Sequence, residues 1–177
     1  KRQLGLRGEV NFPAFEQALK GFSRYASGQD RLLVLIDYTK PSTEKRFYIL
    51  DLLQKKLLLS TYVAHGRGSG DNYAVAFSNR PGSYQSSLGF FRTGDTYMGK
   101  NGYSLFLDGL EKGINDKARE RAIVVHGANY ADPAVLKGQQ RLGRSLGCPA
   151  LPPDISKQVI DTIKGGVLLY IYGLNKA

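Results

Sequence analysis

Residues 31–38 read Arg31-Leu32-Leu33-Val34-Leu35-Ile36-Asp37-Tyr38, an apolar run bounded by charge on both sides. Its apolar part is far shorter than the roughly 20 residues a membrane-spanning helix needs. It has the length of a strand. Two more runs rich in leucine, aromatic and β-branched residues follow at 46–52 and 56–65, separated by Thr39-Lys40-Pro41-Ser42-Thr43 and by Leu53-Gln54-Lys55. Three strand-sized runs joined by short turn-forming links predict an antiparallel meander. Upstream, Phe15, Leu19, Phe22 and Ala26 recur at helical spacing, with Asn11 placed to cap and Pro13 tolerated in the first turn. This predicts an amphipathic helix over 11–25.

Downstream, residues 66–102 are rich in glycine and serine, with Asn72, Asn79 and Pro81 among them and a short apolar run at 73–77. Little periodic pattern is present there, so the segment reads as a long loop. Structureless segments beyond about 12–15 residues in a compact domain usually bind or catalyse, which makes this one a candidate site wall. Strands are predicted at 103–107, 122–126 and 166–172 and a helix at 152–163, with irregular chain at 127–151. The fold class is therefore mainly β with a few helices. The 177 residues suit one domain, read as 1–177 with the helical segment 1–30 packed on it.

Composition limits the chemistry. Apolar residues make up 42% and charged residues 23%, as in ordinary globular proteins. Lys+Arg number 25 against 15 Asp+Glu, a formal charge of +10, which suits an anionic partner such as wall polymer, lipid headgroups or nucleic acid, or simply solubility. Aromatic residues are not interleaved with the basic ones in any nucleic-acid-binding pattern, so no nucleic-acid partner is expected. The single cysteine excludes an intrachain disulfide and thiolate-rich zinc sites. No metal-ligand spacing and no phosphate-binding loop is legible, so neither metal nor cofactor is expected. Residues 1–10 lack the apolar stretch of an export signal.

The lone thiol, Cys148, sits in Arg141-Leu142-Gly143-Arg144-Ser145-Leu146-Gly147-Cys148-Pro149. A single cysteine is often a buried small hydrophobe. Open backbone and nearby arginines instead suit a nucleophile, whose reactive form is the thiolate. Such a nucleophile needs a base, and two histidines are available, His65 before Gly66 and His126 before Gly127. Each ends an apolar run beside a glycine turn, and position alone does not separate them.

Three further stretches, Val63-Ala64-His65-Gly66, Phe77-Ser78-Asn79 and Ser86-Ser87-Leu88-Gly89, complete the pattern begun by His126-Gly127 and Ser145-Leu146-Gly147-Cys148. Together they resemble the L,D-transpeptidase catalytic domain of the YkuD type, and among these the divergent murein L,D-transpeptidase branch. The likeness runs from about residue 32 to 172. It implies a YkuD-like β-sandwich or barrel carrying a long active-site loop, and a cysteine acyltransferase acting on peptidoglycan stem peptides outside the cytoplasmic membrane. Cys148 would be the nucleophile, His126 its base, and backbone N–H groups around Gly147 and Cys148 the oxyanion donors. Ser145, Arg144, Ser87 and His65 are the expected substrate-binding residues, and carbapenem-type β-lactams the expected acylating inhibitors. The sequence departs from the family turn at Leu146, where a histidine is usual, and at Pro149-Ala150. An L,D-carboxypeptidase that passes the acyl group to water, and a basic wall-binding module with an inert Cys148, are the alternative readings.

Overall fold

The computed structural model describes residues 9–26 and 30–176. Helix α1 (Phe12–Tyr25) starts at Asn11, whose side chain accepts from the Ala14 N–H, with Pro13 in the first turn where its missing N–H costs nothing. Eight strands follow: β1 (Leu32–Asp37), β2 (Phe47–Asp51), β3 (Lys56–Thr61), β4 (Gly89–Gly99), β5 (Gly102–Gly109), β6 (Val124–Gly127), β7 (Ala150–Leu151) and β8 (Leu168–Tyr172). Helix α2 (Pro153–Ile163) lies between the last two. The predicted helical segment begins at residues that lie outside those described.

All eight strands belong to one sheet, in the order β3-β2-β1-β8-β4-β5-β6-β7. The predicted meander is present, β1 with β2 and β2 with β3, both antiparallel. Beyond it the last strand, β8, inserts parallel to β1 and antiparallel to β4. The two sheet edges then meet. Ala64, just past β3, forms an antiparallel bridge with Ala150 of β7, so the sheet is nearly closed.

Residues 32–36 are all apolar because β1 is buried on both faces. Val34 and Ile36 join an interior cluster with Phe47, Ile49, Leu169 and the α2 residues Val159, Ile160 and Ile163. Leu33 and Leu35 face outward into a second cluster with Ala14, Phe15 and Ala18 of α1 and with Phe90. The helix rides close to the sheet because Gly21 carries no Cβ; one placed there would stand 1.8 Å from the Phe90 ring.

One expectation fails in this part of the chain. Residues 66–102 are not all loop, since 89–99 form the longest strand, β4, paired to β5 and β8. Glycines at 89, 94 and 99 and a register shift between Thr93 and Thr96 interrupt its alternation, which conceals the strand from pattern reading. The run at 73–77 lies outside any strand, although Val75 and Ala76 both donate to the Ser69 carbonyl. Among the described residues, no helix is long and apolar enough to cross a membrane.

Candidate active site

Three sequence-distant segments converge where the sheet edges meet. The turn carrying Cys148 is tied on one side to residues 64–67: Ser145 N donates to His65 O (3.0 Å), Arg67 N to Ser145 O (2.8 Å) and Ala64 N to Ala150 O (2.8 Å). On its other side it runs parallel to β6, with His126 opposite Ala150 and Gly127 opposite Leu151. His126 N lies 3.5 Å from the carbonyl oxygen of Pro149, the residue after Cys148, so the cysteine turn meets the segment that carries His126. The thiol is held there by the backbone of the same segment. Val124 N donates to Sγ and Sγ donates to Ala122 O, each at 3.4 Å.

The two histidines, alike in sequence, differ in wiring. Arg46 Nη2 lies 2.9 Å from His65 Nδ1. A guanidinium can only donate, so this nitrogen accepts and the ring proton sits on Nε2, 3.2 Å from Gly70 O. Both ring nitrogens of His65 are thus spent inside the protein, and burial with the Arg46 charge drives its pKa down to about 3. His126 uses one nitrogen. Nδ1 donates to its neighbour's carbonyl, Gly127 O, at 2.8 Å, which fixes the tautomer and leaves the Nε2 lone pair without a protein partner among the described residues. Burial holds the His126 imidazole below its ordinary value.

Burial also pushes the Cys148 thiol up, against smaller opposing pulls from the Val124 N–H, Arg121 and Lys100. With the thiol raised and the imidazole lowered, both groups favour their neutral forms.

The turn itself is braced by Ser145, whose hydroxyl donates to Cys148 O (2.6 Å) and accepts from Gly147 N (3.1 Å). The Gly147 N–H, expected as an oxyanion donor, is therefore committed, whereas the Cys148 N–H has no protein acceptor among the described residues. What Gly147 supplies is conformation: φ is +132°, and a Cβ there would lie 3.0 Å from Ile123 Cδ1 and 3.1 Å from Gln85 O. Leu146, standing where the family turn has a histidine, is 54% exposed.

The other expected substrate contacts also have partners within the protein. Ser87 is buried, donating to Ser78 O and accepting from Arg121 Nη1, each at 2.8 Å. Arg144 Nη1 reaches Gly70 O (3.2 Å) and Asp71 Oδ1 (3.0 Å). Among the aromatic residues at 84–97, Phe90 and Phe91 are buried in the two cores, and Tyr97 stacks on Phe106. Tyr84 is exposed beneath the Arg67 guanidinium. Two residues escaped sequence reading. Arg46, fully buried, donates to Val63 O and Lys40 O besides His65 and lies over the Tyr38 ring. Arg121 anchors the 78–87 loop. A lone arginine beginning or preceding an apolar run carries no sequence signal of burial.

Beyond His126, the rim opens into a cleft of about 340 Å³, lined by Lys100, Asn101, Tyr103, Gly127, Asn129 and Ser156 among others.

A family model described as the L,D-transpeptidase catalytic domain matches residues 6–172. The chain belongs to that family. Its fold is similar to that of solved structures. A variant of the helical cell shape determining protein Pgp2 from Campylobacter jejuni aligns with TM-score 0.54 at 16% identity, over 94% of this chain and 58% of that one. An L,D-transpeptidase from Stackebrandtia nassauensis aligns with TM-score 0.50 at 14% identity, over 99% of this chain and 75% of that one. An L,D-transpeptidase from Mycobacterium smegmatis gives 0.48 at 13% identity, over 81% of this chain and 59% of that one. This L,D-transpeptidase domain thus spans between about three-fifths and three-quarters of the length of these structures. No curated protein sequence matches the chain.

Proposed function

We propose that the domain is a cysteine acyltransferase of the cell wall, an L,D-transpeptidase that works through Cys148 and His126 on peptidoglycan stem peptides. The observation that carries this reading is the wiring at the rim: a thiol held by the backbone of residues 122–124, two positions before a histidine whose Nδ1 is engaged and whose Nε2 has no protein partner among the described residues.

In the reaction, Sγ attacks the carbonyl carbon of the third stem residue, a diamino acid, and its proton passes to His126 Nε2. The tetrahedral oxyanion is held by the Cys148 N–H, a donor placed where charge develops. Collapse breaks the bond to D-Ala, whose nitrogen takes the proton from the imidazolium. The thioester then acylates the side-chain amine of a second stem. That amine gives its proton to His126 and the sulfur takes it back, restoring the starting state. The neutral resting pair makes His126 a general base during attack rather than half of a preformed ion pair. Arg144, anchored but partly exposed, is the nearest arginine in the turn for a substrate carboxylate. The polymer substrate puts the working compartment outside the cytoplasmic membrane.

Incubation with a purified disaccharide-tetrapeptide, read by mass spectrometry, tests the proposal. A cross-linked dimer with release of D-Ala is the expected product. Tripeptide alone would mean that water replaces the acceptor amine, and unchanged substrate would overturn the acyl-transfer reading. A carbapenem is expected to add its mass to the wild-type chain and not to Cys148→Ala.

A further inference from the structure

Arg121 immediately precedes the residue whose carbonyl receives the Cys148 proton, and its guanidinium spreads over four neutral oxygens. Nη1 donates to Ser78 O (2.9 Å) and Ser87 Oγ (2.8 Å), and Nη2 to Gln85 O (2.8 Å) and Ser83 Oγ (3.2 Å). No carboxylate pairs with it among the described residues. Nη2 also lies beneath the catalytic turn, 3.4 Å from where a Cβ on Gly147 would stand. Its charge is therefore unneutralised and directed at the turn.

The backbone next to it is unusual as well. Ile123 N donates to Ala118 O and Ala122 N to Arg119 O, the paired bonds that close a helical turn with a left-handed residue. That residue is Ala122, at φ +56°, where glycine is the usual choice. The left-handed position turns the chain so that the Ala122 carbonyl meets the thiol while the Arg121 side chain reaches the loop.

We propose that Arg121 is a positioning residue: its guanidinium pins the 78–87 loop against the Cys148 turn and supplies the fixed positive charge that stabilises the sulfur as it becomes an anion. This deepens the acyl-transfer reading and rests on it for its purpose, although not for its test. The family turn places a histidine before Gly-Cys, and Leu146 brings no charge there. Arg121 delivers charge to the same glycine from the opposite side of the turn. The other titratable groups that act on the sulfur are Lys100 at the β4–β5 turn and the phenols of Tyr38 and Tyr130, while His126 lies two residues beyond Val124, whose N–H bonds the sulfur. Lys100 is exposed and screened by salt. Arg121 is partly buried and held in place, and its effect persists in salt.

The experiment is the pH profile of iodoacetamide alkylation of the single cysteine in the full chain, followed by intact mass at 0.15 M and 1 M salt. It needs no substrate, so its outcome is independent of the tetrapeptide assay. Arg121→Met is expected to raise the alkylation midpoint by about one pH unit, the lower end of what an adjacent opposite charge contributes. Arg121→Lys should keep most of the wild-type value. Ser83→Asp, which leaves Arg121 in place but sets a carboxylate against Nη2, should shift the midpoint upward by about half as much, and it serves if the Met variant does not fold. Ser83→Ala with Ser87→Ala loosens the loop without touching the charge and should leave the midpoint within about 0.3 unit. A midpoint unchanged in both Arg121→Met and Ser83→Asp overturns the proposal. So does a shift in the double serine variant as large as that in Arg121→Met.

Discussion

His65-Gly66 and His126-Gly127 are the same dipeptide at two points on the rim of the sheet, flanking the same cysteine turn from opposite sides. Around His65, an arginine donates into one ring nitrogen and a carbonyl accepts from the other, so the imidazole is a neutral strut joining β2 to the 66–70 turn. Around His126, one carbonyl orients the ring and the remaining lone pair is free. Both rings are buried. Burial alone therefore does not tell the two rings apart; the count of satisfied nitrogens does, and it is what favours His126 over His65 as the proposed base.

The strongest way to break this contrast is to exchange its terms. Cys148→Ala should abolish acyl-enzyme formation. His126→Gln should lower turnover by about 10³-fold, within the range for a general base, with little change in melting temperature. His65→Gln should do the reverse: turnover per folded molecule within a few-fold of wild type, and stability reduced by about 2 kcal/mol, since Arg46 and Gly70 O each lose a buried partner. If His65→Gln were folded and inactive, the assignment of the two rings would be wrong.

Arg46→Leu probes the strut from its other end. It leaves Val63 O and Lys40 O without their donor, and about 3 kcal/mol of stability should be lost in chemical denaturation.

A pH titration sharpens the comparison. Folded His65 has a pKa of about 3, whereas the unfolded ring has the ordinary 6.5. Below 6.5 the unfolded chain binds a proton that the folded chain refuses. The contribution of His65 is therefore complete above pH 6.5 and is lost as pH falls, at up to about 1.4 kcal/mol per unit. The difference between wild type and His65→Gln should shrink over that window. Activity follows His126 instead. With the imidazole lowered and the thiol raised, kcat/KM should rise to a plateau below pH 6.5, and alkylation of the free thiol should have its midpoint above pH 9. An alkylation midpoint near pH 5 would mean a preformed thiolate and would overturn the neutral-pair mechanism.

The smallest effect is expected at Asp71→Ala. The acid is 85% exposed in its ion pair with Arg144, so stability should change by less than about 1 kcal/mol. A lower KM in this variant would identify the released Arg144 as a substrate contact.

Much of this fold could be read from the sequence wherever burial imposes a simple period. The meander, both helices and β8 follow from apolar runs or from a capped helical stripe. β4 does not, because its outer half is exposed and glycines break its alternation. The two-residue β7 is too short to carry any period. Cys148 and His126 were legible as candidates because their residue types are rare in this chain. Their separation from His65 was not, since it depends on Arg46, which is adjacent to neither histidine in sequence. Ser87 and Ser145 illustrate the same limit: a hydroxyl near a nucleophile reads as a ligand contact until its hydrogen bonds are seen to end within the turn.

The place of β8 constrains how the sheet can close. The strand is inserted between β1 and β4 and joins the three-strand meander to β4–β7 on the side of the sheet away from the Ala64–Ala150 bridge. While a growing or translocating chain has not yet released residues 168–172, it consists of two half-sheets with an exposed edge each. Closure of the sheet thus ties the segment around Cys148 to residues at 168–172, twenty or more positions away in the chain.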